Sequence, residues 1–244
     1  MPHHLDYHAA ILRDGLAMAD AAEAAGPAAP IAGCPGWDTA ELVWHLTEVH
    51  YFWGTIVAGR LLDPGQVPAL ERPGGFDALL ARLRSGVRWI AEVLAAVDPA
   101  TPVWTWARQQ DAAFVIRHQA QETAVHRWDA EQAAGRSFAI DPAIAADAID
   151  EFLEHTGAAR REGTEAVGGS VHLHATDADG EWTIGEDAAG SLAVERGHRH
   201  SDAAVRGTAS DLLLLLYGRI GREALEAHGD IRVLDRLLAR ADLS

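Results

Sequence analysis

Residues 117–135 read RHQAQETAVHRWDAEQAAG. Small and apolar residues recur at spacings of three and four, the period of a helix that packs along one face, and Gly135 is its natural stop. Glu122 and His126 stand four apart and so lie on the same side of that helix, one turn from each other. His118 falls a further turn back and Asp129 three residues beyond His126, giving one stripe dense in groups able to bind or orient a cation. Three more segments share this period. One covers residues 6–25 and stops before Gly26-Pro27; one starts at Asp38 or Thr39 as cap, with Glu41 just inside, and runs to residue 59; one covers residues 75–96 and ends near Asp98-Pro99. With the helix over 111–134, these predict a four-helix bundle. A fifth helix is expected after Asp141-Pro142, extending to about residue 156.

Beyond residue 160 the grammar changes. SVHLHATDADGEWTI (170–184) alternates over 171–175, turns through the Asp/Gly cluster at 177–180 and resumes over 181–184, a hairpin signal. Further strands are expected at 191–195 and 203–207, then a helix capped by Thr208 or Ser210 and a last one over 231–241. The predicted organisation is an all-α four-helix-bundle domain over residues 1–160 followed by a small α+β domain over 161–244.

Composition bounds the function. The 244 residues, 48% hydrophobic and 23% charged, suffice for one large or two ordinary domains with a real core. The longest apolar run, LLLLLY at 212–217, is too short to span a bilayer, and the opening MPHHLDYHAAILRDGLAMAD lacks the pattern of a secretory leader, so a cytoplasmic protein is expected. Cys34 is the single cysteine, which excludes an internal disulfide and Cys-rich metal sites. It lies in a Pro/Gly-bounded loop with no helix start or local basic pair to activate it, so a passive thiol is expected. All 20 basic residues are Arg, which removes Schiff-base chemistry and the phosphate-loop lysine. A net charge of −16 repels polyanions, so no nucleic-acid partner is expected, and the oligomeric state stays open.

A second segment supplies the partner for Glu122 and His126. In LVWHLTEVHYFW (42–53), His45 sits inside the recurrence of Leu42, Leu46 and Val49, while His50 points elsewhere and reads as a surface or outer-shell residue. His45, Glu122 and His126 would form a two-imidazole, one-carboxylate site with open positions, which suits zinc and also nickel or ferrous iron. The plainer alternatives are a solvated Glu122–His126 pair and a core His45 satisfied by Glu48 or a carbonyl. Asp129 could orient a ligand imidazole, or pair with Arg127 or Arg117. Trp44, Trp53, Trp89 and Trp128 read as bundle core. The His198/His200 pair in GHRHS (197–201) is weak support for a second metal.

LVWHLTEVHYFW, ETAVHRWDAEQAAG (122–135) and VRGTASDLLLLLYGR (205–219), in that order, resemble the mycothiol-dependent maleylpyruvate isomerase family. The resemblance spans nearly the whole chain and implies a DinB-like four-helix bundle with a small C-terminal domain. It implies a divalent metal, usually zinc, on His45, Glu122 and His126, and mycothiol as the small-molecule thiol. It associates Arg219, at the end of the third motif, with activity; a guanidinium there suits clamping a substrate carboxylate or steering the cofactor, and the plainer alternative is a solvated or salt-bridged helix-end cap. The implied reaction is reversible thiolate addition to the cis double bond of maleylpyruvate, rotation, and elimination to fumarylpyruvate. A related thiol transfer would use the same centre. The other classes are a noncatalytic small-thiol-binding or stress-response protein, and a metal-dependent hydrolase, for which no separate general base beyond Glu122 is evident.

Overall fold

The computed structural model describes residues 5–156 and 161–241, which divide into two compact units, Met1–Phe138 and Ala139–Ser244. The first unit is the four-helix bundle: α1 (Tyr7–Ala25), α2 (Thr39–Gly59), α3 (Phe76–Ala96) and α4 (Ala112–Ala133). Three of these helices begin with an aspartate whose carboxylate accepts an orphan backbone N–H: Asp6 from Ala9, Asp38 from Glu41 and Asp111 from Phe114. α1 packs chiefly on α4 and α3, and α2 on α3 and α4. Two glycines let these helices approach closely. A Cβ at Gly15 would meet Val87 at 2.7 Å, and one at Gly54 would meet the Trp89 ring at 2.4 Å.

The bundle core has two apolar clusters. Met18, Leu42, Leu46, Leu80, Leu83 and Val87 anchor one; Ile11, Ile56, Ile90, Leu94, Phe114 and Val115 anchor the other. Burial at this density supplies the main drive for docking four amphipathic helices.

The second unit begins earlier than the residue-160 boundary expected from the sequence. α5 (Pro142–Glu151), extended by a π-helical turn at Phe152–Thr156, packs on α6 (Ala209–Leu216), and the Ile140 N–H donates to Ser210 Oγ at 3.0 Å. Its helical period alone could not say which core it serves. The sheet runs in the order β3-β2-β1-β4-β5, from β1 (Val171–Ala175), β2 (Glu181–Glu186), β3 (Leu192–Arg196), β4 (Ala203–Gly207) and β5 (Glu226–Gly229). All neighbours pair antiparallel except β1 and β4, which are parallel. The polar, four-residue β5 is an addition to the strands expected from the sequence.

Alternation along the strands turns Val171, Leu173, Ala175, Trp182, Ile184 and Val205 into the core, and α6 and α7 (Ile231–Arg240) pack against β1 and β4. Trp182 Nε1 donates to Asp150 Oδ1 on α5 at 2.7 Å. Arg240 is buried and pairs with Glu186, while its Nη2 donates to the Gly190 carbonyl at 2.8 Å. Among the described residues, no helix is long and apolar enough to cross a membrane.

Candidate metal centre in the bundle

α4 presents Glu122 and His126 one turn apart, and α2 brings His45 to the same place. Glu122 Oε1 lies 3.1 Å from His45 Nε2 and 3.2 Å from His126 Nε2. One carboxylate oxygen therefore sits between imidazoles from two helices. Donor atoms of the three residues fall within 4.8 Å of one another. In a tetrahedral shell with bonds of 2.0–2.2 Å, neighbouring donors are about 3.3–3.6 Å apart, so small shifts from the 3.1 and 3.2 Å contacts would admit a divalent cation of zinc size.

His126 is fixed from its other side. Its Nδ1 lies 3.0 Å from Asp129 Oδ2, which leaves Nε2 turned to Glu122. This is the outer-shell arrangement in which a carboxylate fixes the tautomer and orientation of a ligating imidazole. The alternative pairing of Arg127 with Asp129 is replaced: Arg127 Nη1 donates to Asp14 at 2.8 Å and its Nε lies 3.4 Å from Glu131. The electrostatics follow from enclosure. For His126 burial acts against the charged ring, but the Glu122 and Asp129 carboxylates outweigh it and push the pKa up to about 9. For Glu122 burial acts against ionisation, yet His126 and then His45 hold the carboxyl well below its usual range.

His45 departs from its expected environment. A third of its side chain is exposed, and 20% of that of Glu122, so the group opens to solvent on one side. His50, expected as a surface or outer-shell residue, is fully buried: its Nε2 lies 3.0 Å from Thr123 Oγ1, and burial pushes its pKa down to about 3. α2 is apolar around most of its circumference, so its hydrophobic period could not tell which histidine faces inward. His118 is outside the three-donor group and sits in an aromatic cage, stacked on Phe114 at 5.4 Å and edge-on to Trp53 and Trp106, while its charge still acts on Glu122. Trp44 and Trp53 are core residues as expected, whereas Trp89 and Trp128 are half-buried.

Two residues of the loop before α2 were not assigned to this place by the sequence. The Trp37 ring lies 4.8 Å from that of His45 and 6.5 Å from that of His126, roofing both imidazoles. Cys34 Sγ lies 3.9 Å from Asp129 Oδ2. Pro/Gly punctuation marks their loop but gives no hint of its path, which closes through the Pro30–Asp38 bridge and the Ile31 N–H bond to the Trp37 carbonyl. Arg219 belongs to the second unit. It follows α6, with its backbone N–H on the Leu214 carbonyl at 2.8 Å and its Nη1 donating to the Tyr217 carbonyl at 3.1 Å.

A bundle with a histidine–glutamate–histidine group across two helices, followed by a small α+β unit, defines a DinB-like two-part protein. Residues 8–131 match the mycothiol maleylpyruvate isomerase N-terminal domain, and residues 143–236 match the MDMPI C-terminal domain. The chain therefore belongs to the mycothiol maleylpyruvate isomerase family. Neither a curated protein nor a solved structure gives a significant match.

Proposed function

We propose that the chain is a divalent-metal- and mycothiol-dependent isomerase or thiol transferase, with conversion of maleylpyruvate to fumarylpyruvate as the leading reaction. The observation that carries this reading is the Glu122 carboxylate held between His45 and His126 on a partly open edge of the bundle. His45, Glu122 and His126 would hold the cation, with zinc the best match to a nitrogen-rich set and nickel or ferrous iron also suited. A cation there supplies a Lewis acid that lowers the pKa of a small thiol and so provides a thiolate at neutral pH without a protein cysteine.

The protein's own side chains then have separable tasks. Asp129 keeps His126 Nε2 turned toward the donor group, and Glu122 contributes the negative charge that favours a divalent over a monovalent ion. Trp37 shields the imidazoles from one side, leaving the exposed side of His45 as the approach for thiol and substrate. Arg219 is assigned the clamping of a substrate carboxylate or the steering of the thiol, a role suited to a planar, permanently charged fork.

Maleylpyruvate conversion should proceed with mycothiol and stop without it. His126→Ala should lose both a stoichiometric cation and thiol binding. Retention of both in that variant would remove the proposed centre; cation-dependent but thiol-independent turnover of an ester or amide would redirect the reading to a hydrolase.

A further inference from the structure

The outer face of the sheet in the second unit gathers a second set of donors that the proposed chemistry does not use. β1 carries His172 and His174 two residues apart, on the face opposite Val171, Leu173 and Ala175. Register places His174 directly across from Glu181 on β2, with His174 Nδ1 at 2.7 Å from Glu181 Oε1. The chain leaving β3 is held to the same place by the Gly197 N–H, which donates to the Glu181 carbonyl at 3.0 Å, and His198 Nδ1 then lies 3.7 Å from Glu181 Oε2. The His198 ring stands 4.9 Å from that of His172, edge-on.

One observation is not explained by this hydrogen bonding. His172 is buried, its Nδ1 lies 3.4 Å from Thr183 Oγ1, and its Nε2 is buried with no hydrogen-bond partner among the described residues. A buried nitrogen left unpaired carries a desolvation cost, and a cation is a partner that a neutral imidazole can accept. Donor atoms of His172, His174 and Glu181 already lie within 4.8 Å of one another.

We infer that the outer sheet face is a second divalent-cation site of the zinc class, formed by His172, His174 and Glu181 with His198 as a fourth donor. Three imidazoles and one carboxylate match a borderline cation, and four protein donors describe a closed, structural site. The ion would tie β1, β2 and the segment after β3 together, at the side of the sheet that α6 and α7 do not cover.

The test uses the full chain carrying His126→Ala, so that the bundle centre is disabled, and zinc chloride titrated against a chromophoric chelator. One stoichiometric zinc should remain. Adding His174→Gln or Glu181→Gln should weaken it by more than about 100-fold, beyond the 10–100-fold typical of an outer-shell partner. Both side chains are partly exposed, so circular dichroism should show both variants folded. Zinc should also shift the ring resonances of His172, His174 and His198 together in the His126→Ala chain. No zinc bound at micromolar concentration, zinc retained undiminished in both variants, or shifts confined to the histidines near the N-terminus would each overturn the inference. Loss of zinc on His126→Ala alone reports on the bundle, so the two readings fail separately.

Discussion

The two units place their buried polar groups differently. The bundle buries Asp14, His50, Gln119, Thr123, His126 and Asp129, and draws its donor group partly from them. Among the described residues, the second unit buries Glu151, His172 and Arg240, the last paired with Glu186, and carries His172 and His174 on the outer face of the sheet. Helices satisfy their own backbones, so a bundle can turn charged side chains inward between helices and support them from a second layer, as Asp129 supports His126. An antiparallel sheet with one covered face alternates, so groups binding from the strands gather on the open side. The difference teaches that enclosure, more than donor type, separates the two histidine–carboxylate groups.

The largest effect expected is on the buried pair of the second unit. Arg240→Ala leaves Glu186 enclosed without its partner, and removal of one member of a buried pair destabilises by about 3–5 kcal/mol. Amide exchange in β2 and α7 should accelerate accordingly while the bundle is unaffected. In the bundle, Arg127→Ala should cost less, because Asp14 keeps Arg13 at 2.9 Å. Equal losses in the two variants would erase the contrast in how the units handle buried charge.

Next comes the acid response of the bundle. His50 titrates at about 3 when folded against the ordinary 6.5, because burial opposes its charge. As pH falls below 6.5, the unfolded chain takes up a proton that the folded chain refuses until about 3, so stability present above 6.5 is lost through that window. By pH 4 this one residue removes on the order of 3 kcal/mol. His50→Gln, which keeps a group able to meet Thr123, should flatten that slope in the exchange of α2 and α4 amides. An unchanged slope would mean that His50 is hydrated and the bundle interior less enclosed than described.

How much of this was legible beforehand can be followed residue by residue. Glu122 and His126 fall together because the helix period alone puts positions four apart on one side, and Asp38 announces the start of α2 as an N-cap. That His50, rather than His45, is the fully buried imidazole of α2 was hidden because the helix is apolar nearly all round, so period gives no direction. The group around Glu181 was hidden for a different reason. His174 meets Glu181 only through strand register, and His198 only through the path of the chain after β3, neither of which side-chain spacing encodes. The allegiance of α5 likewise depends on which core receives its apolar face.

A smaller effect tests the second layer. Asp129→Asn keeps a hydrogen-bond acceptor at His126 Nδ1 but removes its charge, and should weaken cation binding by about 10–100-fold. Chelator competition on the purified chain measures it. A loss well beyond that range would mean that Asp129 is itself a ligand and that the centre lies deeper in the bundle than Glu122.

The least effect is expected at Cys34, and it decides between two donor sets that share His126. Donors of Cys34, His126 and Asp129 also fall within 4.8 Å of one another. That set would use the inner side of the His126 ring, where Nδ1 meets Asp129 at 3.0 Å, and would draw Asp129 from orientation into coordination. The set with His45 uses the outer side and leaves Cys34 a weak thiol contact to Asp129 at 3.9 Å. Under the outer arrangement, Cys34→Ser changes cation affinity by less than about threefold, below the cost of an outer-shell partner. Cobalt added to the native chain should then lack the intense near-ultraviolet thiolate-to-metal band. A strong band that disappears in Cys34→Ser would move the cation to the inner set and leave His45 as a gatepost at the opening.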